Sequence, residues 1–95
     1  MKYVRIVRQT RRNVDIPFFT PTAETIAVMD RYVEDGKIES YTFDNISEDK
    51  LHKEMKMTFT NLLSLDEFLC EEQIIGSAAA RSSHCDNYYI SVTLE

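Results

Sequence analysis

The hydrophobic pattern is most regular between Leu51 and Thr60. The odd positions are apolar except for one lysine (Leu51, Lys53, Met55, Met57 and Phe59), whereas the even positions are polar (His52, Glu54, Lys56, Thr58 and Thr60). Successive side chains of a β-strand point to opposite faces of the sheet. The alternation therefore predicts a strand whose odd-numbered face is buried against helices.

Three other segments also predict strands. Residues 3–9 are rich in β-branched side chains, and residues 88–94 show the cleanest alternation of apolar and polar positions. Residues 37–46 lead into a run of turn-forming residues. We therefore expect residues 37–61 to form one long antiparallel hairpin.

Alternation within the second strand assigns its side chains to two faces. Tyr41 and Phe43 share a face with Glu39, whereas Ile38, Ser40 and Thr42 should lie on the other face.

The first helix is predicted over residues 21–35. Thr20 has a side chain that suits the cap, and Pro21 suits the first helical position. Gly36 follows the last apolar position at helical spacing, as a left-handed residue after a helix does.

The second helix is predicted to begin with a capping box formed by Ser64 and Glu67. Its buried positions are expected to be Leu65, Phe68, Leu69 and Ile75. Gly76 should interrupt this helix, so that a second helical piece with small residues follows it.

The predicted order of elements is β-α-β-β-α-β. This order predicts an α+β, ferredoxin-like fold, in which two helices cover one face of a four-stranded antiparallel sheet. The chain of 95 residues fits one domain, residues 1–95. Because the second sheet face lacks helices, we expect a homodimer whose candidate contact residues are aromatic (Tyr3, Tyr41, Phe43 and Tyr89).

The net charge of −5 is unevenly distributed. Residues 1–13 carry +5 and no acid, so the rest of the chain carries −10. Arg8, Arg11 and Arg12 are candidates for an anion-binding arm, and the alternative is a solvated segment that neutralises an acidic body. We do not expect a nucleic acid partner, because the acidic body repels phosphates and the third strand lacks the aromatic pattern of RNA-recognition domains.

Candidate catalytic residues are few. His52 and His84 are candidates because histidine is the residue type whose unperturbed pKa lies near neutrality, but the simpler interpretations are a solvated or interface role for His52 and a turn role for His84, beside Cys85. The sequence has no CxxC pair and no glycine-rich phosphate loop, so we predict neither a metal nor a cofactor.

The compartment is predicted from apolar runs and cysteines. No run approaches the roughly 18–20 apolar residues that a membrane span needs. The positively charged residues near the N-terminus are not followed by the apolar segment of a signal peptide, so we do not expect one. We expect a cytoplasmic protein with no membrane contact and with Cys70 and Cys85 reduced, although a disulfide between them stays open.

The element order, the strand lengths and the junction from Thr58-Phe59-Thr60-Asn61 to Ser64-Leu65-Asp66-Glu67-Phe68 resemble the dimeric α/β-barrel superfamily. That superfamily includes antibiotic-biosynthesis-type monooxygenases and small isomerases. The resemblance implies a homodimer in which two sheets pack face to face. Haem-degrading members rely on an Asn, Trp and His set, and that chemistry is not carried over because this chain contains no Trp.

Two functions remain from the sequence. The first is a small, dimeric, non-catalytic protein with an interaction or accessory role. The alternative is a cofactor-independent, monooxygenase-like or isomerase-like enzyme that acts on a small molecule in a pocket between sheet and helices. A large cavity with an inward histidine or tyrosine hydroxyl would favour the enzyme, and a filled core with a flat aromatic dimer face would favour the interaction protein.

Overall fold

The computed structural model describes residues 1–84 and 87–95. Its seven elements are β1 (Tyr3–Thr10), α1 (Ala23–Glu34), β2 (Ile38–Ile46), β3 (His52–Phe59), α2 (Leu62–Leu69), α3 (Glu72–His84) and β4 (Asn87–Leu94). The strands form one antiparallel sheet in the order β2-β3-β1-β4. The predicted ferredoxin-like α+β fold is confirmed, with the second helical region divided into two helices.

The helices cover one face of this sheet, which we call the covered face. Lys53, Met55, Met57 and Phe59 point toward the helices and are buried, as the alternation in β3 predicts. The ring of Phe68 lies between those of Tyr32 and Phe59, with centroid distances of 5.3 and 5.2 Å. These edge-to-face contacts join α1, α2 and β3 in one core. Within the described ranges, no helix is long and apolar enough to cross a membrane.

The first helix begins two residues later than predicted. Thr22 is its N-cap, because its hydroxyl oxygen accepts a hydrogen bond of 3.3 Å from the amide of Thr25. The hydroxyl of Thr20 instead lies 3.5 Å from the Nζ of Lys53. The end of the helix is as predicted, since Gly36 has a φ of 74° after the cap residue Asp35.

A register shift in β2 changes the predicted faces. The pairing with β3 shifts between Ile38 and Ser40, so that Ile38 pairs with Phe59 while Tyr41 pairs with Met57. Both side chains consequently pack on the covered face. The prediction that Ile38 and Tyr41 lie on opposite faces was wrong, because the irregularity inserts a residue into the strict alternation.

The second helix is capped by Asn61 rather than by Ser64. The Oδ1 of Asn61 accepts a hydrogen bond of 2.9 Å from the amide of Ser64, which lies buried inside the first turn. The helical region is interrupted at Cys70 and Glu71, and Gly76 lies within α3. Of the predicted core positions, Leu65 and Phe68 are buried, whereas Leu69 and Ile75 are exposed and Ile74 is buried in their place.

Glu71, in the break between α2 and α3, is hydrogen-bonded to the first helix. Its Oε1 accepts hydrogen bonds from the hydroxyl of Tyr32 (2.8 Å) and from the guanidinium of Arg31 (2.9 Å). The backbone carbonyl of Glu71 accepts the amides of Ile74 and Ile75 and so starts α3. The Tyr32 hydroxyl, and after it the Arg31 guanidinium, hold the pKa of the Glu71 carboxyl below its usual value.

The two glycines should respond oppositely to alanine. Gly36→Ala forces a side chain into the left-handed region and should lower the free energy of unfolding by about 1 kcal/mol. Gly76→Ala is the matched control, because a Cβ there meets nothing within 4 Å and alanine favours the helix; it should raise stability by about 0.5–1 kcal/mol. Urea denaturation of both variants measures these values, and equal effects of the two would contradict the assignment of their conformations.

Glu71→Gln should remove a pH-dependent part of the stability. A carboxyl whose pKa is lowered by folding stabilises the native state above its usual pKa of 4.5, and this contribution disappears as the pH falls through the lowered value. We expect a loss of about 1 kcal/mol at pH 7 that shrinks below pH 4.5. Urea denaturation across this range should show little change for the exposed control Glu48→Gln, and a deficit independent of pH would contradict the role of the Glu71 carboxylate.

Candidate functional site

A small cavity lies between the covered face of the sheet and the helices. Its free volume is about 20 Å³, enough for a group of about the size of a water molecule. Most of its wall is apolar and includes Met29, Met55, Met57, Phe68 and Ile74. Two cationic side chains, Arg5 and Arg81, also line it. We call it the two-arginine cavity.

Arg5 reaches the cavity from the centre of the sheet. It pairs with Met57 across β1 and β3, so its side chain shares the covered face and is only 6% exposed. Burial, and after it the positive charge of Arg81, lower the pKa of Arg5 to about 10. The guanidinium therefore stays protonated at neutral pH. Within residues 1–84 and 87–95, no ion pair involves Arg5.

Arg81 enters from the opposite wall. It belongs to α3 and is 5% exposed. Its guanidinium carbon lies 5.3 Å from the centre of the Tyr88 ring, a distance typical of a cation–π contact. The hydroxyls of Tyr88 and Ser82 lie 2.6 Å apart, so β4 and α3 together hold the aromatic ring beside Arg81.

The composition of the wall limits the chemistry of the cavity. Its described lining contains the hydroxyls of Thr25 and Ser77 and no imidazole, carboxylate, thiol or phenol. General acid–base catalysis at neutral pH needs a group that gains or loses a proton near that pH. The lining therefore suits binding by shape and positive charge better than proton transfer.

His52 lies on the other side of the sheet, which we call the open face. Its Nδ1 is 2.8 Å from the hydroxyl oxygen of Thr10, and its Nε2 is 3.9 Å from the carboxylate of Asp49. Together with Arg8 and Glu54 it lines a shallow depression of about 200 Å³. The predicted catalytic candidate is thus separated from the two-arginine cavity by the sheet.

The open face has an apolar centre although no helix covers it. Val4 and Ile6 from β1 lie beside Thr58 from β3, and Val4 is only 6% exposed because its neighbours surround it. Tyr89 from β4 pairs with Arg8 and shares this face, where it is 52% exposed. The rest of this face is polar, and the charged side chains of Arg8, Glu54 and Lys56 lie on it.

Three of the four aromatic residues predicted for a dimer face lie on the covered face. Tyr3, Tyr41 and Phe43 pack against the core, and the rings of Tyr41 and Phe43 stack with centroids 6.2 Å apart. The hydroxyl of Tyr41 donates a hydrogen bond to Asp30, which, together with burial, raises the pKa of Tyr41 to about 12. The register shift in β2 and pairing in β1 explain this placement, and only Tyr89 belongs to the open face.

The structure does not bring the three predicted arm residues together. Arg8 belongs to β1 and lies on the open face. Arg11 donates hydrogen bonds to two backbone carbonyls, at 2.7 and 2.9 Å, and its guanidinium lies 4.1 Å from the centre of the Phe18 ring. Arg12 is exposed in the loop after β1. Arg11 therefore holds that loop in place.

The remaining candidates from the sequence are His84 and the two cysteines. The side chain of His84, with Cys85 and Asp86, lies outside the described residues, and so does any pairing of Cys85. Cys70 is exposed and free. No three potential metal ligands cluster among the residues that the structure describes. Arg5 and Arg81 were not predicted as site residues. The sequence feature that could have identified them is a positively charged residue at a position of β1 or α3 whose side chain faces the core.

Solved structures with a similar fold cover nearly the whole chain, whereas no protein-family model and no curated protein sequence matches it. Protein Rv0793 from Mycobacterium tuberculosis has a TM-score of 0.67 at 13% identity, covering 100% of this chain and 95% of that one. SnoaB, a cofactor-independent oxygenase from Streptomyces nogalater, has a TM-score of 0.61 at 11% identity, covering 99% and 92%. A dimeric ferredoxin-like protein of unknown function from Jannaschia sp. CCS1 has a TM-score of 0.65 at 11% identity, covering 98% and 99%.

Identities this low establish similarity of fold alone. The similar structures also include antibiotic biosynthesis monooxygenases. The chain therefore has the ferredoxin-like α+β fold of these structures, as its element order implies.

Proposed function

We propose that this protein is a homodimer with a non-catalytic interaction or accessory role, and that two copies pack through their open sheet faces. The observation that carries the proposal is the apolar centre of the open face. Val4 and Ile6 lie on the central strand β1, on the sheet face that the described helices leave open, with Ile6 half-buried and Val4 enclosed by its neighbours in the sheet. Covering such residues is favourable because it removes apolar surface from water.

The polar residues around this centre are compatible with a second copy. Arg8 lies opposite Glu54 in the β1–β3 register, and Lys56 lies opposite Ile6. A twofold axis brings the same patch of both subunits together, so a patch with charges of both signs can complement itself. The face therefore avoids the repulsion that a patch of one sign would produce.

The size of the face also suits a dimer. Four strands of about eight residues give a flat area of roughly 20 by 26 Å, from the usual strand spacing and rise per residue. Side-chain relief makes the accessible area larger than this projection. It approaches the ~800 Å² that each partner typically contributes to a stable interface. The protein from Jannaschia, with a similar fold over 98% of this chain, is described as dimeric, which supports a dimeric state for this chain.

An enzyme that acts on a small molecule in the two-arginine cavity is the second candidate. The similarity of fold to the oxygenase SnoaB favours it. The location of His52 on the open face and the lack of an acid–base group in the described lining favour the interaction role. Catalysis in the cavity would depend on the two guanidiniums and on the hydroxyls of Thr25 and Ser77.

The proposed interface predicts the effect of a charge at its centre. The wild-type protein should sediment at micromolar concentration with twice the chain mass of 11.1 kDa. Ile6→Asp places an unpaired carboxylate in the interface and should weaken dimerisation by roughly 100-fold or more. Sedimentation equilibrium measures both dissociation constants.

The matched control is Ile75→Asp, which adds the same charge on the exposed surface of α3. This variant should remain dimeric, and circular dichroism should show native secondary structure for both variants. A wild-type protein that sediments at 11.1 kDa, or equal weakening by the two substitutions, would exclude the proposed interface.

A further inference from the structure

A second polar depression lies on the open face, along the edge strand β2. Its free volume is about 290 Å³, larger than the 200 Å³ of the depression beside His52. Its described lining comes from β2 and β3 and consists of Ser40, Tyr41, Thr42, Asn45, Lys56 and Thr58. We call it the hydroxyl-lined depression. Because these residues belong to one chain, the site does not need a second copy.

Two irregularities in the pairing of β2 with β3 explain why the sheet is recessed here. Between the pairs of Ile38 and Ser40, β2 has one residue more than β3, and the same is true between the pairs of Thr42 and Asn45. Such bulges bend a strand, change the direction of its side chains and are frequent near functional sites. The segment between the two irregularities therefore curves relative to β3 and leaves room over its partners in that strand.

The positive charge of Lys56 has no counterion among the described residues. Its ammonium group takes part in none of their ion pairs. In the sheet register it lies between Ile6 of β1 and Thr42 of β2. The nearest carboxylate on the same face of β3 is that of Glu54, which lies opposite Arg8, so that the charge of Arg8 offsets it. The depression therefore offers a net positive charge at Lys56.

The hydroxyls around Lys56 supply hydrogen-bond donors. Thr58 is 8% exposed, and no hydrogen bond of the described residues includes its hydroxyl or that of Ser40, its partner across the ladder. The Oγ1 of Thr42 accepts a hydrogen bond of 3.3 Å from the amide of Asn45, so its own hydrogen remains available to a ligand. A buried hydroxyl without a partner is unfavourable. A ligand with several acceptor oxygens satisfies all three hydroxyls.

The kind of cation and the arrangement of the donors favour a phosphate group. An ammonium acts as a compact point charge, as at many phosphate sites, whereas a planar carboxylate is better matched by the fork of an arginine. Hydroxyls on two neighbouring strands approach a ligand from different directions, which suits the oxygens of a tetrahedral group. The free volume also leaves room for a few atoms attached to it. Because the chain has a net charge of −5, a small phosphorylated molecule fits better than a nucleic acid.

We propose that the hydroxyl-lined depression binds the phosphate group of a small phosphate monoester. Lys56 supplies the charge, and the hydroxyls of Ser40, Thr42 and Thr58 donate hydrogen bonds to the phosphate oxygens. Since β2 is an edge strand, the depression lies at the margin of the open face, and the rim of an interface stays accessible to solvent. The site is therefore compatible with the proposed dimer, and it goes beyond the interaction role by assigning a ligand class.

Calorimetric titration of the full-length protein tests the ligand class. At low ionic strength, where charge contributes most, glycerol 3-phosphate and inorganic phosphate should both bind at one site per chain, because they share the recognised group. Glycerol and acetate should bind at least tenfold more weakly. Binding of acetate or glycerol as tight as that of glycerol 3-phosphate would overturn the proposal, and so would binding of single-stranded RNA without binding of glycerol 3-phosphate.

Substitution of the lysine tests the location of the charge. Lys56→Gln should lower the affinity for glycerol 3-phosphate by tenfold or more, because it removes the cation and keeps a side chain of similar length. The matched control is Lys50→Gln, which removes an exposed lysine outside the depression and should leave the affinity unchanged. Equal losses in the two variants would show attraction by overall charge alone and would contradict the proposed site.

Substitution of a hydroxyl tests the hydrogen bonds. Thr58→Val replaces the hydroxyl by a methyl group of similar size and should lower the affinity roughly tenfold. The control Thr93→Val makes the same change on β4, outside the depression, and should have no effect. Unchanged affinity in Thr58→Val would exclude the site.

Two measurements on the wild type make the outcome independent of the variants and of the dimer. In ¹H–¹⁵N spectra, glycerol 3-phosphate should shift the amides of Ser40, Thr42 and Thr58 with saturation, and unmoved amides there would overturn the proposal. Sedimentation equilibrium of the same samples reports dimerisation separately. A monomer that binds the ester contradicts only the proposed dimer, whereas a dimer that does not bind it contradicts only the phosphate site.

Discussion

The structure depends on one geometric constraint: its helices can cover only one face of the four-stranded sheet. The hydrophobic core lies on the covered face, where the rings of Phe59, Phe68 and Tyr32 connect the sheet to the helices. The other face keeps an apolar centre around Val4 without a covering element among the described residues. The core and the proposed interface therefore lie on opposite sides of the same two central strands, and residues of β1 contribute to both.

The division between two faces also separates two kinds of chemistry. The titratable candidate, His52, lies on the open face with Arg8 and Glu54. The covered face holds the buried charges of Arg5 and Arg81 in apolar surroundings. Recognition of a second copy suits the open face, where charges of both signs surround the apolar centre. The similarity to an oxygenase fold concerns the scaffold, because unrelated functions share this arrangement of elements.

The periodicity of apolar residues and the turn-forming residues predicted the order of helices and strands. Contacts between distant segments determined the strand register and the position of the helix interruption. The alternation in β3 assigned its buried side chains, since burial of one strand face is a local property of the sequence. The face of Tyr41 depended on an irregular pairing between two strands, which alternation alone does not reveal. The interruption at Glu71 depends on hydrogen bonds from α1, forty residues away. Arg5 was counted with the basic N-terminal segment, because its burial requires α3 to close over the strand.

The central claim is that a second copy of the chain covers the open face. Isotope-filtered NOE spectra of a dimer made from one labelled and one unlabelled subunit test it most directly, because they detect contacts between subunits only. The account predicts intermolecular contacts from the side chains of Ile6 and Tyr89. Contacts confined to the outer surface of α3, around Ile75, would contradict it.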